Sequence, residues 1–95
     1  MSESKGHAWF VYILEAGDGT LYTGVAKNSV RRRLNEHLRG NGSRYLLGRG
    51  PLQLRHQESY ADQSTACHRE AQIKRWTRKK KLALISDDLA LLKRS

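Results

Sequence analysis

The sequence predicts a single small α+β domain, and three observations support this class. At 95 residues the chain has the length of one domain. An apolar run near the N-terminus is followed by a glycine-rich turn and a second strand-like segment, as in a β-hairpin. Beyond the hairpin, one segment alternates as a strand does, and the remaining periodic segments carry apolar residues at helical spacing.

The composition excludes several classes of protein. Hydrophobic residues make up 38% and charged residues 28% of the chain, which is ordinary for a globular domain. No apolar run approaches the length of a membrane span, and residues 1–7 lack the apolar core of a signal peptide. Cys67 is the only cysteine, so neither a disulfide framework nor a cysteine-based zinc site is expected. We therefore expect a cytoplasmic protein without a membrane partner.

The charge of the chain indicates an anionic partner. Lys and Arg number 18 against 9 Asp and Glu, which gives a net charge of +9 and a pI near 10.2. Nucleic-acid binding accounts for this excess, and so does simple solubility with an affinity for any polyanion. Charge alone says nothing about chemistry.

The first two strands are predicted to form a hairpin behind a flexible N-terminus at residues 1–7. Ala8–Leu14 is apolar at both odd and even positions, which favours a central strand covered on both faces. Gly17-Asp18-Gly19 is a turn, and Thr20–Val25 returns as the second strand.

The length of the hairpin loop decides which side chains share a face. A two-residue turn would place Tyr12 and Tyr22 on opposite faces. A three-residue loop with a left-handed Gly19 pairs Tyr12 with Gly24 and makes the two phenols diagonal neighbours. Glycine at both ends of the loop favours this second geometry, in which Gly24 leaves open space on the sheet. Two tyrosines in paired strands are also simply good sheet formers.

A helix is predicted over Val30–Arg39, with Asn28 or Ser29 as its cap and Gly40 at its end. Its first turn contains Arg31, Arg32 and Arg33. Cations are unfavourable at this end of the helix dipole, so the cluster favours an anionic ligand such as phosphate.

Helical phasing separates these arginines. The apolar stripe of the helix is Val30, Leu34 and Leu38. Arg32 then points to solvent, four residues before Glu36, as in an exposed ion pair. Arg33 and His37 lie along one edge of the stripe, facing the preceding strand. A surface helix with a flanking arginine is the simpler alternative.

The rest of the chain contains one more strand and two more helices. Residues 40–43 are a loop, and Arg44–Pro51 is a basic, glycine-rich segment that either closes over phosphates or is a solvated connector. Leu52–Tyr60 alternates as a half-exposed third strand. A helix capped by Asp62 or Ser64 runs to about Trp76, with a buried face of Ala66, Ile73 and Trp76.

Glu70 is the acidic residue placed in the middle of a helix near the core. It falls on one edge of the buried face, and Arg69 lies toward the other, near Trp76. Such a glutamate is either an ion-pair partner or a single-carboxylate Mg²⁺ ligand. Thr77 begins the last helix, in which Leu82 and Ile85 are expected to pack while residues 78–81 stay in water.

These residues together resemble a known family. The order Tyr12, Tyr22-Thr23-Gly24, Arg33, His37 and Glu70 resembles the GIY-YIG nuclease superfamily. Its name-giving tripeptides match here as Phe10-Val11-Tyr12, where only the tyrosine is retained, and Tyr22-Thr23-Gly24. The stretches Gly42–Pro51 and Arg69–Trp76 are similar to the small stand-alone bacterial members.

The resemblance implies a three-stranded antiparallel sheet flanked by helices, spanning residues 8–86 and followed by a tail or short helix at 87–95. It also implies hydrolysis of phosphodiester bonds in DNA, or in RNA, with Mg²⁺ or another divalent cation such as Mn²⁺. It implies no oligomeric state.

The same resemblance implies the roles of individual residues. Tyr12 or Tyr22 orients or deprotonates the attacking water, and Arg33 stabilises the charge of the transition state. His37 holds the phosphate or assists proton transfer, and Glu70 holds the metal. Further nucleic-acid contacts are expected from Gly24, Lys27, Arg31, Arg44, Arg49 and Lys74.

Two departures from the family favour weaker catalysis. Val25 stands where larger members often have lysine, and the chain has no asparagine beyond Asn41. A nucleic-acid-binding module of the same fold that cuts poorly is therefore the alternative function. An inward Glu70 favours the enzyme, because a carboxylate beside phosphate repels it unless a cation is bound.

Overall fold

The structure, a computed structural model, describes residues 8–39 and 48–86. These residues form the strands β1 (Trp9–Ala16), β2 (Leu21–Lys27) and β3 (Leu52–Tyr60) and the helices α1 (Val30–Leu38), α2 (Gln63–Lys74) and α3 (Arg78–Ile85). The predictions for residues 1–7, the loop at 40–43, Arg44 and the tail at 87–95 lie outside the described residues.

The strands form one antiparallel sheet in the order β2-β1-β3, so the first strand is central as predicted. Four consecutive residues of β1 are fully buried: Val11, Tyr12, Ile13 and Leu14. The sheet is covered on both faces, which explains why this strand is apolar at odd and even positions alike. β1 continues to Ala16, two residues beyond the predicted end, because its pairing with β3 extends to Leu52.

The hairpin between β1 and β2 has the predicted three-residue loop. The amide of Ala16 donates to the Thr20 carbonyl at 2.9 Å, and the amide of Gly19 donates to the Ala16 carbonyl at 2.9 Å. Gly19 has a φ of +89°, which glycine adopts without steric cost. The resulting register pairs Tyr12 with Gly24 and Leu14 with Tyr22.

A β-bulge in β3 was not predicted. Ile13 pairs with His56 but Leu14 pairs with Leu54, so Arg55 is the extra residue between the two pairs. Because of this extra residue, every second residue of β3 points to one face of the sheet before the bulge and to the opposite face after it. Leu54 therefore packs on one face of the sheet and Tyr60 on the other.

The helices cover the sheet from both sides and create two cores. On one face, α1 packs through Val30 onto Tyr12 and Leu14. On the opposite face, Ala66 and Ile73 of α2 and Leu84 of α3 pack onto Val11 and Ile13. Each apolar residue fully buried in this way contributes about 1.5–3 kcal/mol, so the central strand is the main source of stability.

Side chains cap the start of each of the three helices in the described residues. Ser29 accepts a hydrogen bond from the Arg32 amide at 3.1 Å, and Asp62 accepts one from the Thr65 amide at 2.8 Å. Thr77 caps α3 in the same manner. Ser29 rather than Asn28 is the cap of α1, because Asn28 has a left-handed φ of +71° and turns the chain from β2 into the helix.

Two predicted packing positions were wrong. Leu38 is 59% exposed, and its place in the interior is taken by His37, which is 6% exposed. The reason is helical pitch: at 100° per residue, position 37 lies about 20° from position 30 around the axis, whereas position 38 lies about 80° away.

In α3, Leu82 is exposed while Ala83 and Leu84 are buried. The four consecutive apolar residues at 82–85 point to all sides of the helix axis. The sequence pattern therefore does not predict which face of α3 packs against the sheet. The basic residues before them are only partly in water, since the Lys80 ammonium lies 4.1 Å from the centre of the Trp76 ring.

None of the helices in the described ranges has the length and apolar content needed to cross a membrane.

Candidate active site

Tyr12 and Tyr22 form a tyrosine pair on the face of the sheet that α1 covers. The centres of their rings are 6.4 Å apart and the rings are inclined at 42°. This neighbourhood follows directly from the hairpin register, which places Tyr22 one diagonal step from Tyr12.

Gly24 makes room for the tyrosine pair. A Cβ atom at this position would lie 2.5 Å from the Tyr12 hydroxyl oxygen and 3.0 Å from a ring carbon of Tyr22. The open space that the sequence indicated on the sheet is thus occupied by the Tyr12 phenol. A nucleic-acid contact at Gly24 itself stays a prediction.

His37 lies above the tyrosine pair at the end of α1. Its Nε2 atom forms a hydrogen bond of 3.2 Å with the Tyr12 hydroxyl, and its ring contacts Tyr22 edge-on at 5.3 Å between centres. Burial, and then the charge of Arg33, lower the pKa of His37. The imidazole is therefore neutral at pH 7.

Tyr12 ionises with difficulty in these surroundings. Burial, followed by the proximity of Tyr22, raises its pKa to about 12, and the charge of Glu70 acts in the same direction. The guanidinium of Arg33 opposes this shift. At neutral pH the phenol is therefore protonated and can donate a hydrogen bond.

Glu36 holds Arg33 beside Tyr12. The Arg33 guanidinium is 2.7 Å from a Glu36 carboxylate oxygen, a pairing that the sequence analysis missed although Glu36 lies three residues later on the same helix. The predicted exposed pair of Arg32 with Glu36 is also present, at 3.9 Å. Arg32 is 76% exposed and Arg33 34%, so helical phasing distinguished the two correctly.

Glu70 lies on α2, which covers the other face of the sheet. Its carboxylate forms an ion pair of 3.1 Å with Lys74 on the next helical turn. Its charge nevertheless acts on the pKa of Tyr12, so the carboxylate lies within electrostatic range of the phenol. Residues 8–39 and 48–86 contain no group of three or more acidic, histidine or cysteine side chains arranged to hold a metal.

The other residues predicted to contact nucleic acid lie in different places relative to the tyrosine pair. Lys27 and Arg33 line one groove of about 230 Å³ at the start of α1. Arg31 is exposed on the outer side of α1. Arg49 pairs with Asp18 at 3.0 Å and ties the segment before β3 to the hairpin turn. Arg44 lies outside the described residues.

Comparison with known proteins finds a matching family model and similar sequences. Residues 8–83 match the family model described as the GIY-YIG catalytic domain. UPF0213 protein SA0446 from Staphylococcus aureus (strain N315) is 49% identical over 78 residues, which cover 82% of this chain and 94% of that protein.

Two structures solved by solution NMR are similar in fold. The UPF0213 protein BH0048 from Bacillus halodurans is 38% identical, with a TM-score of 0.54 and coverage of 83% of both chains. The protein EF2693 from E. faecalis is 36% identical, with a TM-score of 0.58 and coverage of 94% of this chain and 93% of that one. The names of these proteins specify no reaction.

Proposed function

Because this chain belongs to the GIY-YIG catalytic-domain family, we propose that it is a divalent-metal-dependent endonuclease acting on DNA. The substrates we favour are damaged, branched or single-stranded forms, as in DNA repair or processing, and RNA of the same forms is a second candidate. The observation that carries the proposal is the grouping of Tyr12, His37 and Arg33 on one face of the sheet, with the Glu70 charge in range.

The proposed reaction is hydrolysis. A water oxygen forms a bond to phosphorus, the bond to one ester oxygen breaks, and the leaving oxygen receives a proton. Tyr12, protonated at neutral pH, orients the water or the phosphate by donating a hydrogen bond. The neutral imidazole of His37 is suited to take up the proton of the water, because burial and the charge of Arg33 hold its pKa below the usual range.

Arg33 would stabilise the negative charge that builds up on the phosphate oxygens. A guanidinium is always charged and presents several donors in a fixed plane, and Glu36 holds this one against the tyrosine pair. Preorganised donors of this kind typically contribute about 100- to 1000-fold to the rate.

Glu70 is the side chain that would hold the divalent cation. A single carboxylate suits Mg²⁺, which keeps most of its water and takes further ligands from substrate phosphates. When bound, the cation would polarise the phosphate and stabilise the leaving oxygen. Lys74 competes with the cation for the same carboxylate, since the two side chains are 3.1 Å apart.

The alternative is a nucleic-acid-binding module of the same fold that cuts poorly. The ion pair of Glu70 with Lys74 supports it, because it gives Glu70 a structural partner. Val25, at the position where larger members often have lysine, supports it as well.

A cleavage screen distinguishes the two functions. Purified protein is incubated with duplex, flap, junction and single-stranded DNA, with Mg²⁺, with Mn²⁺ and with chelator. We expect metal-dependent cleavage of at least one structure. Binding of these substrates without cleavage under any condition would favour the binding module.

A further inference from the structure

A groove of about 630 Å³ lies between β3 and α2, on the face of the sheet opposite to the tyrosine pair. Its wall is formed by Tyr60 from β3, by Arg75 at the end of α2, and by Trp76. Tyr60 and Trp76 pack against the core beneath α2 and α3, whereas Tyr12 belongs to the core beneath α1. The volume falls within the range of ligand-binding sites.

No acidic side chain is among the described residues that line this groove. Glu58, the carboxylate behind Arg69, is fully engaged: Arg69 donates to both of its oxygens at 2.9 and 3.0 Å, and the Tyr60 hydroxyl donates at 2.6 Å. Burial alone would raise the pKa of Glu58, but hydrogen bonds from His56, Arg69 and Tyr60 lower it far below its usual range. The carboxylate is therefore ionised and compensated by its hydrogen-bond partners.

Basic side chains lie close to Trp76, one of the two aromatic residues of the groove. The Arg69 guanidinium carbon lies 5.0 Å from the centre of the Trp76 ring, and the Lys80 ammonium lies 4.1 Å from it. Arg75 is exposed, and its side chain forms no ion pair within the ranges that the structure describes. Aromatic rings combined with basic side chains are the arrangement by which proteins bind single-stranded nucleic acid.

We propose that this groove is a second nucleic-acid-binding site, which holds a single-stranded segment of the substrate. Phosphates of the strand would meet Arg75, with Lys80 beside the groove at Trp76, and bases would lie against Tyr60 and Trp76. The inference rests on the proposed function for the identity of the ligand, and it adds a substrate class to it: nucleic acid with a single-stranded arm beside the bond that is cut.

The position of α2 connects the two sites. Arg69 contacts Glu58 on β3 at the groove, and the next residue along α2 is Glu70, the side chain proposed to hold the metal. Consecutive residues of a helix point about 100° apart, so Arg69 and Glu70 face different surroundings from the same turn of α2. A strand bound in the groove would therefore lie beside the helix that carries Glu70.

The first test uses Trp76 as a reporter. The chain has two tryptophans, so Trp9→Phe leaves Trp76 as the only one. In chelator, an oligodeoxythymidylate of about 16 nucleotides should quench the Trp76 fluorescence as it binds. Binding without quenching would overturn the inference, and so would quenching by polyglutamate but not by the oligonucleotide, which would assign the groove to an acidic peptide.

The second test compares two charge reversals. Arg75→Glu lies in the groove, and Lys79→Glu is an exposed position on α3 outside its lining. Both change the net charge equally. We expect about a tenfold loss of oligonucleotide affinity from Arg75→Glu and less than about twofold from Lys79→Glu. Equal losses would show that only net charge matters and would overturn the inference.

The two proposals can fail separately. Metal-dependent cleavage together with an unquenched Trp76 would leave the nuclease proposal intact and remove the groove. Quenching with selective loss in Arg75→Glu, but no cleavage in the substrate screen, would support the groove in a protein that only binds. Absence of nucleic-acid binding altogether would overturn both.

Discussion

At the scale of single residues, the candidate site depends on small differences in angle around one helix. Arg32 and Arg33 are adjacent in sequence and pair with the same carboxylate, Glu36. Of these two arginines, only Arg33 is turned inward, and it is the one whose charge acts on the pKa of Tyr12. This difference allows the two arginines to serve as a matched pair of variants.

Arg33→Ala should reduce the cleavage rate by about 100-fold or more, because it removes the charge that stabilises the transition state. Arg32→Ala should reduce it less than about threefold, through a small loss of phosphate binding. Single-turnover cleavage at saturating protein measures both. Similar losses in the two variants would show that the role assigned to Arg33 is wrong.

Glu70→Gln keeps the length of the side chain and removes the charge that would hold the metal. We expect loss of detectable cleavage in a variant that remains folded, and DNA affinity in chelator that is unchanged or higher. Lys74→Ala is the control, because it breaks the ion pair and leaves the carboxylate in place. Undiminished cleavage in a well-folded Gln variant would remove Glu70 from the site.

His37 makes the stability depend on pH. Its pKa in the folded chain lies below the usual value of about 6.5, so the unfolded chain binds a proton first as the pH falls. The contribution of His37 to the free energy of unfolding is therefore fully present above about pH 6.5, and it is lost as the pH falls through the folded pKa. Melting temperatures between about pH 7.5 and pH 5 should decline for the parent chain and decline less for His37→Gln. An unchanged slope in the variant would contradict this origin.

At the scale of elements, α1 carries the inward Arg33 and His37, although the charges in its first turn are unfavourable for the helix dipole. Its first turn contains no acidic residue, and Ser29 supplies the side-chain cap. The cap therefore matters more here than in a helix whose first turn complements the dipole.

Ser29→Ala should destabilise the fold by about 1 kcal/mol, which lowers the melting temperature by about 4–8 °C. Ser29→Asp keeps a capping oxygen and adds a favourable charge, so it should preserve stability while weakening DNA binding next to Arg33. Ser64→Ala, an exposed serine within α2, is the control. A melting temperature unaffected by Ser29→Ala would show that α1 is held by packing alone.

At the scale of the whole molecule, the excess of positive charge predicts how nucleic acid binds. With a net charge of +9 and cations near both faces of the sheet, several phosphates should be neutralised at once. DNA affinity should then fall at least about tenfold between about 50 and 200 mM salt. Fluorescence anisotropy with the Glu70→Gln variant measures this without cleavage. An affinity independent of salt would remove the nucleic-acid interpretation.

The sequence by itself determined the order of the elements, the hairpin register and the membership of the family. Each of these depends on signals a few residues long. Glycine at both ends of the turn selects the three-residue loop, and that loop aligns Tyr12 with Gly24. Capping side chains mark the starts of the helices in the same local manner.

Only the tertiary structure decided how the layers meet. The bulge at Arg55, the burial of His37 in place of Leu38, and the approach of the Glu70 charge to Tyr12 all involve residues from different elements. The periodicity of a sequence predicts the apolar side of a helix to within about one residue. An error of one residue corresponds to a rotation of 100° about the helix axis. Which side chain meets the sheet is settled by the fit of one layer against another, and that fit depends on the whole chain at once.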